Sequence, residues 1–253
     1  MNPPRAPSLG SRSREISDGT PNSHEFGYGP FLGWPGWGIF VEALVLAAAQ
    51  TLWWMVVYFG ADWLTGLRAE RVRIHLDAEL KIPFIPALIL VYRSIDLMFP
   101  LAPFILRSRA EIRGLTLTLG IVTGIAGVGF LMAPARSAYP QQEQGMWEPL
   151  YAWNQRIVLT YNMVPSLHVA LSVVTLAAYS LRCGKVGKGL LAVWGTAIAL
   201  STLLTHQHHL LDVATGLILG WGAHLLVYRR WLHRAQAGQS VSANLSSDPA
   251  PSA

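Results

Sequence analysis

The chain is expected to fold as an all-α, polytopic membrane protein with about six transmembrane helices, and three features of the sequence point there. Of its 253 residues, 52% are hydrophobic and only 13% charged, where a typical soluble domain carries about 25% charged residues. The deficit is uneven. Residues 1–25 and 229–253 are polar and rich in Ser, Pro and Arg, whereas 114–135, 157–181 and 189–211 contain no Asp, Glu, Lys or Arg. Uncharged apolar runs of this kind suit a bilayer span, because about 20 residues at roughly 1.5 Å rise cross the hydrocarbon core. Ordinary cytosolic enzymes, disulfide-stapled secreted domains and disordered chains are thereby excluded. The single cysteine, Cys183, has no partner for an intrachain disulfide.

Taken in order, residues 1–35 are expected as a flexible tail and 36–231 as a six-helix membrane domain. Its spans fall near 37–59, 82–106, 114–132, 164–181, 189–205 and 210–228, and residues 235–253 read as a second flexible tail. Lys and Arg then sort by side. Arg5, Arg12, Arg14, Arg107, Arg109, Arg113, Arg182, Lys185, Lys188, Arg229, Arg230 and Arg234 collect on one face; Arg68, Arg71, Arg73, Lys81, Arg136 and Arg156 lie on the other. Twelve against six predicts both termini in the cytoplasm by the positive-inside rule. The loops 62–81, 136–162 and 206–210 then face the periplasm, lumen or outside, and 62–81 is suited to an interfacial amphipathic segment. The net charge of +5 reports topology; no basic stripe interleaved with aromatics suggests nucleic acid.

Polar residues inside or at the edge of a span are costly and mark candidate function. In Pro165-Ser166-Leu167-His168, proline occupies a favoured helix-start position. The N–H groups that follow lack intrahelical acceptors at the positive end of the helix dipole, which suits an anion. A plain helix cap with a satisfied histidine is the competing account. The second stretch runs from Thr205 to Asp212 and holds His206, His208 and His209. His208 and Asp212, four apart, share a helical face, so the carboxylate can fix one ring nitrogen and leave the other as base or nucleophile. A polar helix start is the plain alternative. Zinc is the other rival, but His206 and His208, two apart on a helix, point away from each other, so no metal and no cofactor are expected. A descending span, a basic turn and an ascending span return both His168 and His208 to the outer side. Two histidines, an aspartate and a helix N-terminus suit metal-free phosphoryl transfer, one imidazole attacking phosphorus and the other protonating the leaving alkoxide.

These residues resemble the type 2 phosphatidic acid phosphatase superfamily, over about residues 77–221. Its Pro-Ser-x-His motif stands as Pro165-Ser166-Leu167-His168, and Ser201, His208 and Asp212 fall in register with its Ser-Arg-x5-His-x3-Asp motif. Leu167, Asn162, the Leu204–His208 stretch and Ile82-Pro83-Phe84-Ile85-Pro86 are most similar to the inositol phosphorylceramide synthase-like branch. The resemblance implies His208 as nucleophile oriented by Asp212, and His168 as acid for the leaving group. It implies a lipid phosphate or phospholipid substrate and either phosphatase action or transfer of a phospho-head group. Two departures stand out: Thr202 replaces the motif arginine, and the first motif, Lys-x6-Arg-Pro, is absent, since Lys81 meets Leu88 seven residues on. Lys81 and Arg156 are the expected replacement cations, with Ser166, Asn162 and Ser201 as further substrate contacts. Arg93 is read as a structural ion pair with Asp96, and His224 as a packed, hydrogen-bonded histidine. Simple lipid-phosphate hydrolysis is one alternative. A transporter or lipid-binding protein is another, though it would place its polar residues at mid-membrane. The sequence assigns no oligomeric state.

Overall fold

The computed structural model of the protein describes residues 31–247, and among these every regular element is helical. The tail expected over 1–35 therefore falls outside the described residues up to residue 30. Its last part is tied down: the Gly33 N–H donates to the Phe104 carbonyl at 2.9 Å, and Trp34 packs on Trp37, Phe40 and Phe104.

The first span is α1 (Trp37–Gly66). A short 3₁₀ turn (Asp77–Lys81) and another (Pro86–Leu88) lead into α2 (Ile89–Arg93) and α3 (Ile95–Ile105). The expected second span is thus a broken rod, interrupted at Ser94 and carrying Pro100 and Pro103 inside α3; prolines remove helix donors and bend the rod. Helix α4 (Arg109–Met132) begins at a reciprocal cap in which Ser108 and Glu111 satisfy one another's free N–H groups. The connection after α4 holds α5 (Glu148–Gln155). Then come α6 (Leu167–Ser180), α7 (Lys185–Leu204) and α8 (Leu210–Ala223). Helix α8 passes through a π-helical turn at His224–Tyr228 into α9 (Arg229–Ser247). The segment from 235 to 247, expected as tail, is therefore helical.

Five of these rods are long and apolar enough to cross a membrane: Trp37–Gly66, Pro86–Ile105, Arg109–Met132, Lys185–Leu204 and Leu210–Gly238. The span expected at 164–181 is shorter: α6, capped at Ser166, has 14 residues. It is nonetheless the axis of the bundle, buried along most of its length and packed against α3, α4, α7 and α8. Helix α1 lies outside, against α4, and turns Val45, Leu52 and Val56 outward, each at least 60% exposed. Apolar surface on this scale is suited to lipid rather than to water.

Two glycines let α8 approach α6 closely. A Cβ at Gly216 would lie 2.6 Å from the Ser166 carbonyl, and one at Gly220 would lie 2.7 Å from that of Ala170. The Gly-x-x-x-Gly spacing 216–220 is the small-residue seam by which membrane helices pack backbone to backbone. On the other side of the same loop, a Cβ at Gly129 of α4 would meet Pro165 Cδ at 2.6 Å.

The bundle has two unlike ends. At one, Arg109 and Arg113 pair with Glu42, and Arg182 pairs with the nearly buried Glu111 at 2.5 Å. At the other meet the C-terminal ends of α1, α4 and α7 and the N-terminal ends of α6 and α8. Both histidine motifs lie at this second end.

Candidate active site

The loop after α7 is turned back by its own carbonyls. The Thr202 carbonyl accepts from the N–H of Gln207 (2.9 Å) and of His208 (3.0 Å), and Ser201 O accepts from Thr205 N and Oγ1. His206 takes a left-handed conformation, φ 57°, uncommon for a residue with a Cβ. It is held there by a contact of Nε2 with the Ile82 carbonyl (3.0 Å) and by stacking on Tyr139, centroids 3.9 Å apart. This turn sets His208 at the mouth of α8.

His208 Nδ1 lies 3.3 Å from Asp212 Oδ2, one helical turn on, and both side chains are buried. With Nδ1–H donated to the carboxylate, Nε2 is left with its lone pair. The same Oδ2 accepts the His209 N–H at 2.8 Å, so Asp212 caps α8 while orienting His208. The Ser166 N–H donates to the Asp212 carbonyl at 2.9 Å. One of the N–H groups expected to await an anion is thus taken, and it fastens the two motifs to each other. Ser166 Oγ accepts from Val169 N (3.4 Å) as the cap of α6.

His168 follows two residues later. Its Nδ1 meets the Tyr92 hydroxyl at 3.3 Å, and the two rings stack at 4.1 Å. Its Nε2 is buried and has no hydrogen-bond partner.

The structure therefore gathers His168, His208, Asp212 and Ser166. Ser201 and Asn162 are engaged in the scaffold: Ser201 Oγ donates to Ile198 O (2.7 Å), and Asn162 Nδ2 donates to the Tyr58 carbonyl of α1 (2.7 Å). Lys81 and Arg156 are exposed, outside the buried cluster. Arg93 makes the expected pair with Asp96 (2.5 Å), but its guanidinium also reaches Asn154 Oδ1 (3.3 Å) and lies over Trp153. Asn154 in turn donates to Gln207 Oε1 (3.3 Å). His224 is packed against Trp221 and Tyr228, with Nδ1 unpartnered. Among the described residues no group of three His, Cys, Asp or Glu side chains is arranged to hold a metal ion.

Sequence reasoning missed a second layer. Buried Glu79 accepts from Leu76 N (3.0 Å), Leu210 N (2.9 Å) and His209 Nδ1 (3.1 Å). Because the Ala138 N–H donates to His209 Nε2 (3.1 Å), the ring of His209 carries its proton on Nδ1. Burial pushes Glu79 up, but these three hydrogen bonds win and hold its carboxyl below the usual value. Burial holds His206 and His209 below theirs, and it pushes the Tyr139 hydroxyl between them up to about 12. Tyr92 carried one available signal, a polar hydroxyl beside Arg93 inside an apolar span. Glu79 carried none. Beside the loop a cavity of about 220 Å³ opens, lined by Tyr139, Gln141, Gln144, Tyr151, His206 and Gln207 among others, with no Asp, Glu, Lys or Arg in its wall.

Residues 112–235 match the family model of the PAP2 superfamily. The matched stretch runs from the first turn of α4 into α9 and carries both histidine motifs, while Tyr92, Arg93 and Glu79 lie outside it. The PAP2 match supports a phosphatase-type activity on lipid phosphates and fits the helical membrane bundle. Comparison with curated proteins and with solved structures gave no match to either.

Proposed function

We propose that the protein is an integral membrane enzyme of the PAP2 superfamily that takes a phosphoryl or phospho-head group from a lipid through a phosphohistidine. The observation that carries this reading is the Ser166 N–H to Asp212 carbonyl bond, which locks the start of the His168 helix to the His208–Asp212 pair. In the first step His208 Nε2 forms the N–P bond and the P–O bond to the lipid alkoxide breaks. A proton from His168 Nε2 goes to that alkoxide. In the second step water or an alcohol attacks phosphorus, the N–P bond breaks, and His168 takes the incoming proton. The Tyr92 hydroxyl serves both states of His168, since it can donate to the neutral ring or accept from the imidazolium.

Transfer to an alcohol is the finer reading, favoured by the uncharged, amide-lined cavity beside Gln207: amide and phenol groups suit hydroxyls better than a second phosphate, which calls for cations. The active end faces the periplasm, lumen or outside, with the termini in the cytoplasm.

The test is to trap the enzyme with a ³²P-labelled lipid phosphate by rapid base quench. Label stable to base and labile to acid is expected, absent in His208→Ala, and its discharge by water or by an added polyol distinguishes hydrolysis from transfer. Normal turnover by His208→Ala would sink the mechanism.

A further inference from the structure

A dianionic phosphate in a buried site needs positive charge or many donors, and neither place where a cation was expected supplies one. Thr202 stands where the motif arginine belongs, with its hydroxyl turned onto the Ala199 carbonyl at 2.7 Å. Lys81 and Arg156 are exposed, outside the buried cluster. Arg93 is different. It ends α2, directly after Tyr92, whose hydroxyl meets His168. Its Nη1 reaches Asn154, which is bonded to Gln207, the neighbour of His208. Arg93 thus stands next in sequence to the tyrosine that meets His168, and its guanidinium is hydrogen-bonded through Asn154 to Gln207, the chain neighbour of His208.

The side chain of Arg93 is only 12% exposed, and its Nε–H is buried with no hydrogen-bond partner. A structural ion pair explains Nη2 on Asp96; it does not explain a buried charge-bearing donor left unused, which costs the fold free energy unless a ligand completes it. Asp96 and the Trp153 face fix the plane of the guanidinium, and a fixed fork is what recognises a phosphate.

We infer that Arg93 is the phosphate-binding cation of this site, donating Nε–H to a non-bridging oxygen of the group that His208 attacks. It takes over the task of the arginine missing at Thr202, from a span outside the family match. The inference rests on the phosphohistidine reading, and the experiment separates the two.

Purified protein in mixed detergent–phosphatidic acid micelles is assayed with inorganic phosphate and orthovanadate as competitors, and phosphate binding is measured in parallel by calorimetry. Arg93→Gln should weaken both competitors by about 10- to 100-fold and lower kcat/KM at least as far. Arg93→Lys, which keeps the charge but loses the Nε–H, should weaken them by about 3- to 10-fold. Asp96→Asn, whose amide oxygen can still accept from Nη2 and hold the guanidinium plane while the charge is lost, should change them by less than about 3-fold. Phosphate affinity unchanged in either Arg93 variant would overturn the inference; so would equal losses in Arg93→Gln and Asp96→Asn. Should Arg93→Gln fail to fold, the lysine variant carries the test. Wild-type protein that binds phosphate through Arg93 but forms no phosphoenzyme would overturn the phosphohistidine reading and leave the arginine assigned.

Discussion

At the scale of single residues, Asp212 divides its work between two donors. Its Oδ2 accepts from the ring of His208 and from the N–H of His209, and its Oδ1 is buried without a partner. Asp212→Asn can therefore keep the cap of α8 through its amide oxygen. It cannot hold the His208 tautomer if its NH₂ turns toward Nδ1. The expected result is a fall of roughly 10³- to 10⁴-fold in kcat, as when a triad aspartate is replaced, with little change in melting temperature. Asp212→Ala should lose about 1 kcal/mol of stability besides, since the cap goes with the carboxylate. Rate assays and thermal unfolding in one detergent check both; an Asn variant with near-normal kcat would remove Asp212 from its orienting role. The second residue-scale consequence concerns acid. Burial holds His206 and His209 below the ordinary value of 6.5, so the unfolded chain binds protons there that the folded chain refuses. The stability these neutral rings confer is full above pH 6.5 and drains as pH falls through and below it; Glu79, held below 4.5, adds a further loss lower down. The melting temperature should be level from about pH 8 to 7 and fall steadily toward pH 5. His206→Asn, which tolerates a left-handed backbone, should flatten part of that slope. An unchanged slope would assign the acid sensitivity elsewhere.

At the scale of elements, the α6–α8 seam decides whether the site exists. A methyl at Gly216 would push on the Ser166 carbonyl, while one at Gly222 on the same helix meets nothing within 4 Å. Gly216→Ala should cost about 1–3 kcal/mol and lower activity by more than its stability loss explains, because it shifts the Ser166–Asp212 bond. Gly222→Ala should be near neutral, and equal behaviour of the two would show that the seam does not set the geometry. The same seam shows what was readable in advance. His168, His208 and Asp212 were legible because their spacing is local: a helix start and an i,i+4 pair are written within a few residues. Tyr92 and Glu79 were not, since they meet His168 and His209 across 76 and 130 positions that only the packed bundle brings together. Spans were legible from missing charge, and although residues 157–166 are uncharged too, Pro165 marked the start of α6 to within a few residues of its serine cap. The helical stretch beyond 235 was hidden by its polarity; Trp231 and Leu232, packed on the core that includes α4, give α9 its footing.

At the scale of the whole molecule, the two ends separate orientation from chemistry. Arg109, Arg113 and Arg182, assigned to one side by charge counting, do meet acidic partners at the end opposite His208. Cys183, in the turn between α6 and α7 at that same end, is partly exposed and is the single cysteine of the chain. A membrane-impermeant maleimide should fail to label it in intact cells and succeed after permeabilisation. Labelling in intact cells would invert the proposed topology. Burial pushes this thiol up, so the reaction is best run slightly alkaline.

The short α6 has a consequence for where the substrate stands. Fourteen residues rise only about 21 Å, well short of a hydrocarbon core of about 30 Å. Because α6 is enclosed by the longer rods α4 and α7, lipid need not adapt to its length, and its capped end can stand below the headgroup plane. On the proposed reading, the scissile phosphate would then meet the two imidazoles at that depth, with the acyl tails still among its neighbours. The proposal then has the lipid entering sideways without being lifted into water, and the water or acceptor alcohol travelling down to meet it.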